Sequence, residues 1–469
     1  MMQQYLAIKE QAKDAFLFFR LGDFYELFFE DALEASRELE ITLTGREAGA
    51  EERVPMCGVP YHSAESYIAR LIEKGYKVAI CEQVEDPSEA KGPVRREIVR
   101  IVTPGTVMDS KTLSDGANNY IAAVTHDGRD YGLAACDITT GELYVTALGG
   151  SLELLADELN TYRPSEIVAA DELLELFRRD AALAAKTVVL TPRKAAPDDG
   201  ALVAEQFASA DLEPLAPVNR EGLALLLGYL RDTQKRALAH VKQIRHYEQN
   251  QYMIMDPFTR RNLELTETVR ERSRKGSLLW LLDRTVTAMG ARLLRRWIEK
   301  PLMSRSAIEE RLEAVDALYR GIIARDDVRL ALKDVYDLER LVGRIAYGSA
   351  NARDLVALRV SLEQVPALID ACRSSGSRTL EALAAKLDPC ADIRTAIEGA
   401  ICDEPPVSVR DGGMIRDGYH GYLDQLREAG RNGRQWIADL ERQEREATGI
   451  KSLKIGYNKV FGYYIEVTK

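Results

Sequence analysis

Residues 16–29 read FLFFRLGDFYELFF, two aromatic-rich runs on either side of Gly22-Asp23. A Gly-Asp pair between apolar runs is turn chemistry, so the pattern predicts two strands joined by a tight turn. Side chains alternate along a strand, which places Phe24 and Glu26 together on one face of the second strand. Leu17, Phe19, Tyr25 and Leu27 are expected to pack, and Phe24 and Glu26 to face solvent. A short helix is expected over 3–13 and an acidic helix over 30–40, where Ala32, Leu33, Ala35 and Leu39 recur at helical spacing. After Ile41 to Thr44 the chain turns polar and reads as a loop. Over 64–74, Tyr67, Ile68, Leu71 and Ile72 share a helical face, and Gly75 stands where a C-terminal stop belongs. Strands at 76–81 and 98–102 complete a small mixed α/β domain ending near residue 115.

Three further strands, at 120–125, 131–137 and 142–146, are separated by the turn pairs Asp127-Gly128 and Thr140-Gly141. A helix over 152–162, a strand at 167–169 and more helix follow, so 116–248 reads as an α/β layer domain. Its stretch 193–217, rich in Ala, Pro and Asp, reads as a loosely structured insertion, and 231–246 as an Arg/Lys-rich helix and connector. Beyond Met253 the spacing is almost wholly helical. Apolar residues recur at 3.6 over 259–274, 276–299, 308–320, 328–347, 352–368 and 380–387. Helices this long and this charged outside suggest levers over 249–428. A helix over 419–448, dense in Arg and Glu, gives way to strands at 453–457 and 461–467 around an Asn458-Lys459 turn. The last residues, YYIEVTK, fall inside a strand whose edge has no evident partner, so a longer parent protein is expected.

At 469 residues, three or four domains are expected. No apolar run is long enough to span a bilayer and the first ten residues lack a signal-peptide pattern, which points to a cytoplasmic protein without membrane contact. Cysteines at 57, 81, 136, 372, 390 and 402 form no close pairs and no zinc spacing with the histidines, so reduced structural thiols and no bound metal are expected. A net charge of −11 excludes wholesale coating of nucleic acid, because phosphate affinity comes from Lys and Arg. Any such contact must use local patches. These are Lys91, Arg95, Arg96 and Arg100; Arg270, Arg272, Arg274 and Lys275; Arg292, Arg295 and Arg296; and Lys451, Lys454 and Lys459. Taken alone, each patch reads more readily as a solvated helix face or strand edge than as a DNA contact.

Three constellations carry candidate chemistry. Phe24 suits a wedge: a ring inserted between base steps unstacks and kinks a duplex at a cost of a few kcal/mol per step, and a mismatched pair kinks more cheaply. Glu26 beside it would be repelled by phosphates. It makes sense if it accepts a hydrogen bond from a displaced base, or is protonated and donates one, while penalising duplexes that offer no partner. Asp137, in ACDITTGELYV, sits on a strand before a turn, as in ribonuclease H-like nucleases, where several carboxylates hold two metals. Glu142, Asp157 and Glu158 are its conceivable partners, none in a distinctive motif. Over 451–469 lysines interleave with Tyr457, Phe461, Tyr463 and Tyr464, which suits either a phosphate-binding hairpin tip or an ordinary amphipathic strand pair. No G-x-x-x-x-G-K-[ST] run, nucleophile elbow or HExxH motif occurs. The chain by itself reads as a non-enzyme.

GDFYELF, VPMCGVPYH, VAICEQVEDP and KGPVRREIVRIVTPGT, with DPFTRRNLELTETVR, YDLERLVGRIA and KIGYNKVFGYYIEV further on, resemble the MutS family of DNA mismatch-recognition proteins. The resemblance implies a mismatch-recognition domain over 1–115, a ribonuclease H-like connector over 116–248, a helical core with levers over 249–428 and the start of a partial β clamp over 429–469. The fold class is thus multidomain α/β plus all-α. The family's Phe-x-Glu motif falls on Phe24 and Glu26, its further DNA contacts on Arg46 and Arg96, and on Asn458 and Lys459 at the clamp hairpin. The implied ligand is double-stranded DNA with mismatches or small loops. ATP and Mg²⁺ binding, the homodimer interface and recruitment of the MutL partner would belong to a C-terminal ATPase domain of the parent, with no cofactor in this chain. A structure-selective metal-dependent nuclease built on Asp137, or an architectural junction binder, are the alternatives.

Overall fold

The protein is described from a computed structural model, over residues 1–47, 53–85, 92, 94–108, 113–180, 188–236, 238–458 and 462–467. It begins with helix α1 (Met2–Lys9), strands β1 (Ala15–Leu21) and β2 (Phe24–Phe28), helix α2 (Phe29–Leu39), strands β3 (Thr44–Arg46) and β4 (Val54–Pro60), helix α3 (Ala64–Glu73), and strands β5 (Lys77–Gln83) and β6 (Arg96–Val102). The strands form one sheet in the order β3-β4-β2-β1-β5-β6, antiparallel except where β1 runs parallel to β5. β1 is central, and its apolar run is continuous because both faces are covered. Phe16 and Phe18 pack with Ala32, Leu39 and Leu71 of α2 and α3, while Leu17 and Phe19 pack with Tyr5 and Ile8 of α1. Fully burying each such ring or aliphatic chain contributes about 1.5–3 kcal/mol. Strand β4 escapes sequence reasoning because Pro55, Gly58 and Pro60 are poor strand formers.

A second six-stranded sheet follows: β7 (Ile121–His126), β8 (Asp130–Asp137), β9 (Glu142–Gly149), β10 (Glu166–Ala169), β11 (Val189–Pro192) and β12 (Ile244–His246). Its order is β11-β10-β7-β8-β9-β12, an antiparallel β7-β8-β9 meander flanked by strands parallel to their neighbours. Helices α4 (Leu152–Tyr162) and α5 (Asp171–Arg179) cover one face, and α6 (Asp199–Gln206), α7 (Ser209–Leu212) and α8 (Pro217–Gln234) the other. Gly132 lets α8 approach closely, since a Cβ there would stand 2.2 Å from the Val218 carbonyl oxygen. The expected loose insertion at 193–217 is instead folded. Val203, Phe207 and Leu215 are buried against α8, and buried Asp199 pairs with Arg193 at 2.6 Å. Its apolar residues are too sparse to show a period.

The helical region comprises α9 (Pro257–Asn262), α10 (Leu278–Leu282), α11 (Ala288–Glu299), α12 (Arg305–Arg320), α13 (Ile322–Lys333), α14 (Leu338–Tyr347), α15 (Ala352–Glu363), α16 (Val365–Ser374), α17 (Arg378–Ala384) and α18 (Ala391–Ala400). Several expected long helices are broken by their own polar residues. Beyond α9, 263–277 leaves the helix, with Glu264 and Arg272 at positive φ. Ser277, Thr287 and Asp337 each accept a backbone N–H at a helix start, and so divide 276–299 and 328–347. Pro366 opens α16 and divides 352–368.

By contacts the chain divides into one unit of 1–350 with 363–389 and a second of 351–362 with 390–469. The second unit has its own small core of Ala352, Ile397 and Ile401. It ends in α19 (Gly421–Thr448), 28 residues long, and the antiparallel hairpin β13 (Leu453–Asn458) and β14 (Gly462–Val467). Arg445 donates to the Leu453 carbonyl at 2.6 Å, and the Ile455 N–H donates to Glu441 at 2.8 Å, tying the hairpin to the helix. Among the described residues no helix is long and apolar enough to cross a membrane.

Candidate nucleic-acid interface

The β1–β2 turn is two residues long, since Leu21 pairs directly with Phe24. Gly22 takes φ +58°, the left-handed conformation that the first central position of this tight turn requires and that a side chain there would resist. The turn is fastened from both sides. Asp23 accepts the Tyr61 N–H at 2.9 Å, and the Arg20 guanidinium donates to the Gly22 carbonyl at 2.5 Å while lying 3.8 Å from the Tyr61 ring centre. Arg20 and Tyr61 are supports that sequence reasoning missed. The available signal is a cation embedded in an aromatic run, with an aromatic residue at the end of VPMCGVPYH.

From this anchored turn β2 sends Tyr25 and Leu27 into the core beneath α2 and α3. Phe24, Glu26 and Phe28 alternate to the opposite face. Phe28 is buried against α1, whereas Phe24 remains 46% exposed. Opposite Glu26 on β4 stands Gly58, where a Cβ would lie 3.5 Å from the Glu26 Cγ and 3.7 Å from the Phe24 ring. The glycine therefore leaves the flank of both side chains clear. Glu26 is not a free carboxylate: Arg46 on β3 donates to its Oε2 at 2.5 Å. The structure thus joins three of the expected site residues, Phe24, Glu26 and Arg46, on one patch of one sheet face.

Arg96 is placed elsewhere. Its side chain is directed inward, where it donates to the carbonyls of Arg20 and Val94, each at 2.8 Å, and to Gln4 at 3.2 Å. Its guanidinium also lies 5.0 Å from the Phe19 ring centre. Desolvation lowers its pKa, and its donors are spent on holding β6 to β1 and α1. Three protein acceptors thus engage the Nε and one terminal nitrogen of the guanidinium, which suits a positioning role for Arg96. Asn458 pairs with Gly462 at the tip of the second unit's hairpin. Lys459, and Lys91 of the first basic patch, lie outside the described residues.

Three of the four carboxylates considered for metal chemistry, Asp137, Glu142 and Glu158, are committed to protein donors. Buried Asp137 accepts from Asn118 at 2.8 Å, the Asn119 N–H at 3.2 Å, the Thr139 N–H at 2.9 Å and the Thr139 hydroxyl at 2.7 Å. Glu142 accepts from Tyr120, Arg245 and Arg296, and Glu158 from Tyr247 and Lys300. Among the described residues no group of three or more His, Cys, Asp or Glu is arranged to hold a metal ion. The patch of Arg292, Arg295 and Arg296 also turns inward. Arg292 makes a two-pronged pair with Asp337 at 2.7 Å and a bond to Glu339 at 2.6 Å.

Comparison with known proteins agrees with this architecture. Residues 1–111 match the family model for MutS domain I, 119–242 that for MutS domain II and 258–455 that for MutS domain III. The chain is 56% identical over 473 residues to the DNA mismatch repair protein MutS of Brevibacillus brevis, covering all of this chain and 53% of that protein. It is 52% identical over 476 residues to the DNA mismatch repair protein MutS of Bacillus licheniformis, again covering all of this chain and 53% of the relative. The match to the protein of that name from Listeria innocua is 50% over 474 residues. The chain spans about half the length of the curated relatives it matches. With its three consecutive domain matches and an identity of one half or more along its whole length, the chain belongs to the MutS family.

Proposed function

We propose that this chain carries the mismatch-reading part of a DNA mismatch repair protein. The observation that carries the reading is the half-exposed Phe24 ring, held on an anchored turn beside the Glu26–Arg46 pair. A wedge must not yield when pushed between base pairs, and a ring on a braced two-residue turn meets that need. Phe24 enters the minor groove and unstacks a base step, at a cost of a few kcal/mol that is least where pairing is already poor. Arg46 turns to backbone phosphate and Glu26 meets the displaced base. On matched DNA no base is displaced, and the carboxylate is left facing phosphates. Arg96 positions β1 and β6 rather than touching DNA, while Asn458 and Lys459 belong to a second contact on the clamp hairpin.

The longer reading keeps the division 1–115, 116–248, 249–428 and 429–469 as recognition, connector, lever and clamp regions. The parent would be a cytoplasmic, nucleoid-associated homodimer that binds ATP with Mg²⁺ through a separate domain, forms a clamp and recruits MutL. The residues of this chain offer ATP no glycine-rich phosphate loop, so that chemistry is assigned to the parent. In the dimeric parent, Phe24→Ala should weaken binding to a G·T duplex by about 1–3 kcal/mol, the value of one base–aromatic stack, and leave matched duplex nearly unchanged. Unaltered G·T affinity in a fluorescence-anisotropy titration would refute the wedge.

A further inference from the structure

Where α11 crosses the edge of the second sheet, a cavity of about 330 Å³ opens between the β9 and β12 edge, the end of α4 and the first turns of α12. Nothing in the mismatch reading uses it. Its walls combine aromatic rings, among them Tyr144, Tyr252 and Trp297, with an excess of guanidinium groups. Arg245 and Arg296 share a single carboxylate oxygen, Glu142 Oε1, at 2.9 and 2.5 Å. Neither Arg295 nor Arg311 forms an ion pair or side-chain hydrogen bond among the described residues. Arg311 lies 3.8 Å from the Trp297 ring centre, and Arg295 meets the charge of Glu299 only at longer range.

The strongest observation lies along α11. Arg292, Arg295 and Arg296, at i, i+3 and i+4, each line the cavity and each carry a buried Nε–H without an acceptor. The Arg292 side chain is only 1% exposed. Buried donors are almost always satisfied, and three orphans on one helix face beside one cavity indicate an acceptor that the protein itself does not supply. Among the described residues that line the cavity Glu299 is the one acid, against six arginines, and burial pushes its carboxyl up.

We propose that this cavity binds a small organic phosphate bearing a planar ring, of mononucleotide size. The phosphate would be held by Arg295, Arg296 and Arg311, whose forked donors suit its oxygens, and the ring would stack on Tyr252 and Trp297. A volume of about 330 Å³ falls at the lower end of the range for small-ligand sites. Such a ligand would join α11 to the edge of the second sheet, and its site is independent of the Phe24 patch.

Isothermal titration of the 469-residue chain with AMP, adenosine and inorganic phosphate tests the assignment, because the sequence contains no phosphate-binding loop to add a second nucleotide site. Saturable AMP binding at one site is expected, with adenosine and inorganic phosphate each weaker by about tenfold or more. Arg311→Gln and Arg295→Gln should each weaken AMP by about tenfold, with melting temperatures confirming that both variants fold. Arg311 is partly exposed, so its variant decides the matter if Arg295→Gln fails to fold. No AMP binding, with water satisfying the three donors, would overturn the proposal. So would AMP affinity unchanged in Arg311→Gln, or inorganic phosphate binding as tightly as AMP.

Discussion

The Arg46–Glu26 pair makes a prediction that neither residue makes alone. At 2.5 Å the two are in contact, yet the Arg46 side chain is 39% exposed and that of Glu26 18%, so water screens the pair. An ion pair so placed contributes about 0–1 kcal/mol to folding, and Arg46→Ala should therefore leave the domain folded. On DNA the substitution acts twice. It removes one phosphate-neutralising cation, which lowers the dependence of log affinity on log salt by about one. It also leaves the Glu26 carboxylate unscreened against the backbone, an effect that exists only while Glu26 is present. In a double-mutant cycle on matched duplex, Arg46→Ala should cost about 1 kcal/mol more when Glu26 is present than in Glu26→Ala, roughly a fivefold difference in affinity. Glu26→Ala alone should tighten matched binding and so reduce selectivity. Anisotropy titrations of the four proteins, as dimeric parents at two salt concentrations, measure both quantities. Additive effects, within about 0.3–0.5 kcal/mol, would refute the coupling.

Two further outcomes concern the packing of α11 against α14. Arg292→Met removes the buried cation from the partly exposed carboxylates of Asp337 and Glu339, so urea unfolding of the chain should show a loss of about 1–3 kcal/mol; no measurable loss would mean that the pair is not structural. Burial pushes the Asp337 carboxyl up, but the hydrogen bonds and charge of Arg292 outweigh it and hold the group below its ordinary value of 3.8. The unfolded chain then binds more protons than the folded chain just below that pH, so the stabilisation is present above it and is lost as pH falls through the folded value. The stability difference between wild type and Asp337→Asn should accordingly shrink as pH is lowered from 5 to 3, and a gap that stays constant would contradict the assignment.

The β1–β2 hairpin was legible in the sequence because a Gly-Asp pair between aromatic runs has one low-energy reading, and the face shared by Phe24 and Glu26 followed from strand geometry. The partner of Glu26 was not legible as a partner. Arg46 reaches it through β3 and β4, and β4 is disguised by its prolines and glycine. The inward direction of Arg96 was not legible, because a basic cluster shows charge but not direction, and direction is set here by carbonyls near β1 and β6. Long helices were overextended where Ser277, Thr287 and Asp337 cap new starts, since apolar spacing continues across a break that a side-chain oxygen makes. The inward turn of Arg292, Arg295 and Arg296 depends on contacts far along the chain, such as Glu142 and Asp337, that no local pattern encodes.

Whether Phe24 parts a stacked base step can be read from 2-aminopurine placed beside a G·T mismatch, whose fluorescence rises when its stacking is lost. At saturating dimeric parent, the wild-type residue should raise that fluorescence and Phe24→Ala should leave it at the level of free duplex. An equal rise with both proteins would contradict the assignment of Phe24 as the wedge.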